Sequence, residues 1–153
     1  MSKSPVPSIT LVQDLGVSGD CHSGKNLRQV HLVPMESLRQ VSAKLEASAP
    51  VKAGEIGENV TTEGIDLGGL PCGTELHFGD GAVVVLTGVR DPGPGIDRCR
   101  AGLREHFLVR DQNKKVVKRL AGVMGTVKRG GEVKPGMQIK VVRSVGMEGL
   151  PIV

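Results

Sequence analysis

The chain has 153 residues, a length that suits one domain with a single core and is too short for two substantial cores. Apolar residues make up 39% of it, but Trp and Tyr are absent and the only aromatic side chains are Phe78 and Phe107, so the core must be aliphatic. The net charge of +4 favours an anionic ligand only weakly, and without aromatic residues for stacking or a dense basic tract the sequence does not favour a nucleic-acid binder.

Short runs of β-forming residues dominate the chain, separated by Gly, Pro, Asn and Asp. They predict seven strands, at residues 8–12, 28–33, 58–63, 74–78, 82–89, 122–128 and 138–143. With 22 glycines to supply bends and turns, this pattern predicts a mainly β fold, a barrel or a sandwich. Residues 1–14 form a flank with a first strand, and residues 15–143 form the main domain. The tail at 144–153 has no periodicity and is read as an extension or a docking strand.

Two turn signals indicate how strands are connected. Asp80-Gly81 lies between two strand-like runs and predicts a two-residue hairpin turn with positive φ, so that the flanking strands pair antiparallel. Pro135-Gly136 predicts a turn just before a half-buried final strand.

Two segments have helical character. From residue 34 to about 47, apolar residues recur at i, i+3 and i+7, and Pro34 suits the first turn. A shorter helix is predicted from about 101 to 108, where it buries Leu103 and Phe107.

The segment GVSGDCHSGKNLRQVHLV collects polar and basic residues around three glycines, ahead of a strand. Such a loop offers backbone amides and side-chain donors to an anion, although Asp, Ser and Gly also suit a plain solvated turn. The candidate ligand-binding residues here are Asp20, His22, Lys25 and Arg28.

A metal site is a second reading of the same segment. The residues of ligand type are Asp20, Cys21, His22 and His31. Adjacent Cys and His side chains point apart in extended backbone, and no second spaced pair follows, so no metal site is predicted. The cysteines at 21, 72 and 99 have spacings typical of neither a disulfide framework nor a paired zinc site, and free thiols are expected.

In GEIGENVTTEG, alternation along a strand places Asn59 and Thr61 on one face and Glu58 and Thr62 on the other. An inward carboxylate or amide is costly unless it is hydrogen-bonded or faces a ligand cavity. Glu58 and Asn59 are therefore candidate ligand residues. The alternative is that both satisfy nearby backbone groups.

The stretch LTGVRDPGPGIDRCRAGL leaves an apolar strand and enters a Pro- and Gly-rich loop. Arg90, Asp97 and Arg98 are candidate ligand residues in it, because a guanidinium fork suits phosphate or carboxylate. Cys99 lies between Arg98 and Arg100, whose charges would favour a thiolate, so it is the candidate catalytic residue. The alternative is an inert cysteine on the first turn of the short helix.

Three blocks of the sequence resemble the MOSC family, named after the C-terminal domain of molybdenum-cofactor sulfurases. They are GVSGDCHSG with NLRQVHL, then GEIGENVTTEGIDLGGLPCGTELHFGDGAVVVLTGVRDP, then AGVMGTVKRGGEVKPGMQI. The resemblance covers residues 15–142 and rests on a combination of a Gly-Asp-x-His turn, a Gly-Glu-Asn strand entry, an Arg-x-Pro loop and a Val-x-Pro-Gly ending. It implies a MOSC-type β-barrel with one or two short helices and an association with the molybdenum cofactor.

The resemblance also bears on chemistry. Standalone bacterial-type members, which this chain resembles in length, are described as sulfur carriers that would hold a persulfide on a cysteine of an Arg-x-Pro-Cys loop. Gly93 stands at that position here, so carrier chemistry would need Cys99, six residues on, or has been lost. Pyridoxal phosphate belongs to the separate aminotransferase-like domain of full-length sulfurases and is not expected, since its Schiff-base lysine needs a large α/β scaffold.

Three functions follow from these readings. The leading one is a module that binds a molybdopterin-type or sulfur-bearing ligand and that could also carry sulfur. Its partner would be a small anionic cofactor, or a protein that donates or accepts sulfur. The second is a small molybdenum-dependent oxidoreductase or sulfurtransferase. The third is a non-catalytic interaction barrel that has lost the family cysteine. Its contact surface would be the apolar tail residues Met147, Leu150, Ile152 and Val153.

The sequence also carries an expectation about location. No apolar run approaches the roughly 20 residues that span a bilayer, and the N-terminus lacks the hydrophobic core of a signal peptide. We therefore expect a cytoplasmic protein without membrane contact.

Overall fold

The computed structural model describes residues 2–46, 48–146 and 148–153. The strands are β1 (Ile9–Val12), β2 (Gly16–Val17), β3 (Val30–Pro34), β4 (Val60–Thr62), β5 (Glu75–Phe78), β6 (Val83–Val89), β7 (Leu108–Arg110), β8 (Val116–Arg119), β9 (Val123–Arg129), β10 (Gly131–Val133) and β11 (Ile139–Val142). The helices are α1 (Met35–Ala43), α2 (Pro94–Cys99) and α3 (Leu103–His106), with a 3-10 turn at Leu67–Gly69. The predicted mainly β fold is confirmed. None of the described helices is long and apolar enough to cross a membrane.

Six strands form one sheet that curls into a half-barrel, in the order β11-β5-β6-β9-β3-β4. Neighbouring strands are antiparallel except β3 and β4, which are parallel. A three-stranded sheet, β10-β1-β2, and the β7-β8 hairpin complete the described sheets. Gly122, just before β9, has φ of 86°, and a Cβ there would lie 2.1 Å from the Leu32 carbonyl oxygen. Only glycine lets the chain enter β9 so close to β3.

Two apolar clusters form the core. The first joins the two larger sheets and includes Leu32 and Phe78, while the second lies under the helices and includes Val33, Leu38 and Phe107. Consecutive residues of β3 thus belong to different clusters, and all five residues of this strand are buried. Any polar side chain on β3 must therefore find its partners inside the protein.

The predicted hairpin is present, but its turn differs from the prediction. β5 and β6 pair antiparallel as expected. The residue with positive φ is Gly79, at 59°, and neither Asp80 nor Gly81 has positive φ, so that part of the prediction was wrong. The Phe78 N–H donates to the Ala82 carbonyl at 2.9 Å, which makes the loop three residues long and moves the left-handed position to its start.

The turn at Pro135-Gly136 and the first helix are both present. Gly136 has φ of 82°, as a type II turn requires at that position, and β11 follows it. α1 begins at Met35 because Pro34 still pairs in β3, and the helix ends earlier than predicted. The predicted end at residue 47 lies outside the described residues.

The second predicted helix is present in a shorter form as α3, and an unpredicted helix, α2, precedes it. α2 begins at Pro94, inside the segment predicted as a loop, because the fixed φ of proline suits the first helical position. Gly102, with φ of 78°, separates α2 from α3. α3 lies within the predicted range 101–108 and Leu103 and Phe107 are both buried, so the predicted helix is present but shorter, whereas α2 was not predicted.

The C-terminal tail docks beside the end of β6. The Val89 N–H donates to the Pro151 carbonyl at 2.7 Å, and the Val153 N–H donates to the Val89 carbonyl at 2.9 Å. The described part of the tail thus contacts β6 through an isolated bridge between Val89 and Ile152 and does not form a regular strand. Within the suggested contact surface Ile152 is 55% exposed, while Met147 lies outside the described residues.

Candidate functional site

Four neighbouring strands place polar residues in one row across the curled sheet. His31 on β3 lies opposite Met124 on β9. Arg90 follows β6 and its N–H donates to the Gly122 carbonyl at 3.0 Å, while the Asn59 N–H donates to the His31 carbonyl at 2.9 Å just before β4. The row borders a cavity of about 30 Å³, with room for about two water molecules or one small anion. The cavity is lined by His22, Arg28, His31, Ile56, Gly57, Asn59, Arg90 and Met124.

The buried imidazole of His31 has a defined tautomer. Its Nε2 lies 2.6 Å from the Ala121 carbonyl oxygen, which only accepts, so Nε2 carries the hydrogen and Nδ1 is left as an acceptor. Nδ1 lies 3.5 Å from Nη1 of Arg90. Burial, followed by the charge of Arg90, lowers the pKa of His31 to about 3. The ring is therefore neutral at physiological pH.

Arg90 supplies a buried positive charge at the base of the cavity. The residue is 7% exposed, and its Nη1 donates to the Ile56 carbonyl at 3.1 Å. Among the described residues no carboxylate lies within ion-pair distance of it. Burial and then the charge of Arg28 lower the pKa of Arg90, while Glu58 and Cys99 act in the opposite direction. A buried guanidinium without a paired acid is costly, and a bound anion would offset that cost.

Glu58 and Thr62 are the pair that faces inward, at 2% and 3% exposure. Glu58 Oε1 accepts from the Gly54 N–H at 2.5 Å and from the Thr61 hydroxyl at 3.1 Å, so Thr61 reaches Glu58 despite the predicted alternation. The reason is that Glu58 precedes β4 and does not follow the strand geometry. Within the described part of the chain, Glu58 Oε2 and Thr62 Oγ1 are buried without a partner. Both residues line a second cavity, a groove of about 1320 Å³ that shares Asn59 with the first.

Asn59 lines both cavities, and Asp20 lines the groove beside it. Asn59 Oδ1 accepts from the His31 N–H at 2.9 Å, so this side chain does satisfy nearby backbone, as the alternative reading held. Asp20 Oδ1 lies 2.7 Å from Nζ of Lys3, and Oδ2 accepts from the His22 N–H at 3.1 Å. Burial raises the pKa of Asp20, but Lys3, the His22 N–H and the Asn59 amide together lower it below its ordinary value. Asp20 is thus a carboxylate held in place by its neighbours.

The structure places other predicted residues away from the small cavity. Lys25 and Arg98 are exposed and do not line it. Asp97 Oδ1 accepts from the Arg104 N–H at 2.9 Å, so Asp97 caps α3. Cys99 is half-buried at the last position of α2 and outside the cavity lining, whereas the sequence had placed it in a loop or on a first helical turn.

The neighbouring Arg100 also has a structural role. Its Nη2 donates to both carboxylate oxygens of Glu55, at 2.9 and 2.8 Å, and its Nη1 donates to the Ala49 carbonyl at 2.6 Å. Of the three arginines in this stretch, only Arg90 therefore reaches the cavity.

Sequence reasoning missed part of the cavity wall. The lining residues that it did not propose as ligand-binding are His31, Ile56, Gly57 and Met124. His31 had been considered only as a metal ligand, although a histidine between the apolar residues of VHLV is a signal of a buried polar group. Met124 carries no such signal, because an apolar residue on a strand usually belongs to the core.

The structure defines a class of protein in which a curled β-sheet holds polar residues around one small cavity. The model of the MOSC domain matches residues 19–140, and the chain belongs to the MOSC family. This family is associated with molybdenum-cofactor sulfurase-like proteins. No curated protein matches the chain.

Solved structures share this fold at low sequence identity. YuaD from Bacillus subtilis is similar with a TM-score of 0.72 and 21% identity, over 91% of this chain and 86% of that one. YiiM from Geobacillus stearothermophilus is similar with a TM-score of 0.71 and 19% identity, over 97% and 68% of the two chains. YiiM from Escherichia coli has a TM-score of 0.68 and 19% identity, over 93% and 65%. The chain spans about two thirds of the YiiM proteins, and at these identities the likeness concerns the fold alone.

Proposed function

We propose that this MOSC domain binds the anionic end of a molybdopterin-type cofactor, or a smaller oxo- or sulfur-bearing anion, on Arg90 and Arg28. The observation that carries the proposal is the guanidinium of Arg90, which is 7% exposed, borders a cavity and has no acidic partner among the described residues. A planar guanidinium matches the oxygens of phosphate and related anions through paired hydrogen bonds. Neutral His31 lies beside it and adds no charge.

The sizes of the two cavities limit how such a ligand would fit. A cavity of about 30 Å³ cannot enclose a pterin ring system, but it admits a phosphate or oxo group. The groove of about 1320 Å³ has room for the remainder, and Glu58 and Asn59 offer it polar contacts. Gly93 supplies no thiol to hold a metal. The residues present thus fit the anionic end of the cofactor and not a cysteine-ligated molybdenum.

The test compares two arginines of the same segment. Equilibrium binding of phosphate, molybdate and a molybdopterin-type cofactor is measured for wild type, Arg90→Gln and the exposed control Arg98→Gln. Loss of a charge-assisted hydrogen bond corresponds to about a tenfold to hundredfold weaker affinity, so Arg90→Gln weakens binding by that factor and Arg98→Gln by less than about twofold. Equal affinities in all three proteins contradict the proposal.

A sulfur-carrying role for Cys99 is the second candidate, favoured by one observation. Cys99 is the last of the four causes that shift the pKa of Arg90, and it acts in the raising direction.

Intact-mass analysis of protein incubated with a persulfide donor tests the carrier. If the protein is a carrier, the wild-type protein gains the mass of one sulfur atom. The Cys99→Ser variant does not gain this mass, whereas the Cys72→Ser variant does. No adduct in the wild-type protein removes the carrier role and leaves anion binding untouched.

A further inference from the structure

The turn that precedes β3 brings together three side chains of metal-ligand type. The Asp20 N–H donates to the Val17 carbonyl and the Ser23 N–H donates to the Asp20 carbonyl, each at 3.1 Å. Residues 20–23 therefore form a β-turn with Cys21 and His22 at its two central positions. In a turn the backbone reverses, and adjacent side chains do not alternate between faces as they do in a strand. The reason for expecting the Cys and His side chains to point apart does not hold here.

The donor atoms of this turn lie at the spacing that one metal ion needs. Nδ1 of His22 is 3.4 Å from Cys21 Sγ and 3.4 Å from Asp20 Oδ2. All three donor atoms lie within 4.8 Å of one another. Bond lengths of about 2.0 to 2.3 Å from a tetrahedral Zn²⁺ to N, O and S ligands separate those ligands by roughly 3.3 to 3.8 Å. Small side-chain rotations would thus let all three reach one ion.

We propose that Asp20 Oδ2, Cys21 Sγ and His22 Nδ1 bind a divalent transition-metal ion of the Zn²⁺ class. The site is new relative to the proposed anion pocket and does not depend on it. Asp20 is already oriented, since its other oxygen pairs with Lys3 at 2.7 Å. Cys21 and His22 are exposed, so an ion can enter from solvent. A carboxylate and a thiolate together neutralise the two charges of the ion, which offsets the repulsion from Arg28 nearby.

The fourth coordination position would be free for a ligand from outside the chain. Three protein ligands and one open position are typical of zinc sites that bind substrate or water. His22 lines the small cavity together with Arg28 and the buried Arg90. An anion on the open position would therefore lie near these guanidinium groups, although binding of the metal ion itself needs neither of them.

Cobalt(II) titration of the reduced protein tests the proposal, because a thiolate bound to Co²⁺ produces a charge-transfer absorption in the near ultraviolet. We expect one Co²⁺ per chain with that band, displaced by one equivalent of Zn²⁺. Cys21→Ser abolishes the band, and Cys99→Ser and Cys72→Ser keep it. His22→Ala weakens Zn²⁺ binding by at least about tenfold, the lower end for changes around a metal centre, while the half-buried control His106→Ala, on α3, leaves it unchanged.

Each outcome decides the question. Because Cys21 and His22 are exposed, their variants are expected to fold, and circular dichroism confirms this before titration. Absence of a stoichiometric band in wild type overturns the proposal, as does a band that persists in Cys21→Ser. Arg90→Gln keeps the cobalt band even where it abolishes phosphate binding, so the failure of one proposal is distinguishable from the failure of the other.

Discussion

The small cavity is built from two regions that differ in how they are held. Its floor, which we define as His31, Asn59 and Arg90, is bonded to the backbone of neighbouring segments through the Ala121, His31 and Ile56 main chain. Its rim, defined as His22 and Arg28, is exposed, and the His22 side chain is 51% exposed. Floor residues are thus bonded into the fold, whereas rim residues would serve mainly the ligand if the proposed anion site exists. Substitutions should separate the two regions by their effect on the free energy of unfolding.

The largest effect is expected from the floor at acidic pH. His31 has a pKa of about 3 in the folded protein and an ordinary value of 6.5 when unfolded, so the unfolded chain binds the extra proton between these values. Its contribution to stability is full above pH 6.5 and falls by up to about 1.4 kcal/mol per pH unit as the pH drops toward 3, about 5 kcal/mol in total. Urea unfolding at several pH values between 7 and 4 measures the slope.

The matched comparison for that slope is His31→Gln, which keeps an amide donor near the Ala121 carbonyl but does not titrate. We expect its unfolding free energy to fall less steeply with acid than that of wild type, while the half-buried control His106→Gln retains the wild-type slope. If wild type and His31→Gln lose stability in parallel, the histidine is not buried in the neutral form.

A smaller effect on the same region is expected for Asn59→Ala. The His31 N–H loses its acceptor and stays buried, which costs about 1 to 3 kcal/mol of unfolding free energy. Asn26→Ala is the control. The Asn26 side chain accepts from the Arg28 N–H at 2.7 Å, but this N–H is exposed and can donate to water when the side chain is removed. Chemical denaturation distinguishes the two, and an equal loss in both variants would show that Asn59 is no more important to the fold than a loop residue.

The ion pair between Lys3 and Asp20 is less buried than the floor residues and more buried than the rim residues. Lys3→Met should lower the unfolding free energy by about 1 kcal/mol or less, since Lys3 is 24% exposed and Asp20 8% exposed. In Lys134→Met, which breaks a pair exposed at 59% and 52%, the change should be too small to measure. Thermal or urea unfolding reports both, and a larger loss in Lys134→Met than in Lys3→Met would contradict the ranking.

Sequence reasoning recovered the sheet better than the helices, for physical reasons. Strand alternation and the Pro135-Gly136 turn are local patterns, and the strands they predicted are present. α2 was missed because Gly93 and Gly95 favour a loop; Pro94 suits a first helical position, but the helix also depends on the packing of Ile96 in the second apolar cluster. Such contacts come from residues distant in sequence and leave no local signature.

The candidate site shows the same division. His22, Arg28, Asn59 and Arg90 were proposed from motifs, and the structure brings all four to one cavity. Three others, Lys25, Asp97 and Arg98, were proposed from the same stretches and lie outside it. The cavity depends on the register of β6, β9, β3 and β4, which pairs His31 with Met124. The register between strands that are distant in the chain cannot be predicted from one sequence.

The smallest effect on stability, and the sharpest test of the division between floor and rim, is expected for Arg28→Met. The side chain is exposed, with no acidic partner among the residues described, so the unfolding free energy should change by no more than about 0.5 kcal/mol. Phosphate affinity should nevertheless fall by about tenfold, because one of two guanidinium groups at the cavity is lost. Lys25→Met removes an equal charge from the same loop outside the cavity and should change affinity by less than about twofold. If Arg28→Met instead lowers stability as much as Asn59→Ala, the rim is part of the fold, and the separation drawn between the two regions does not hold.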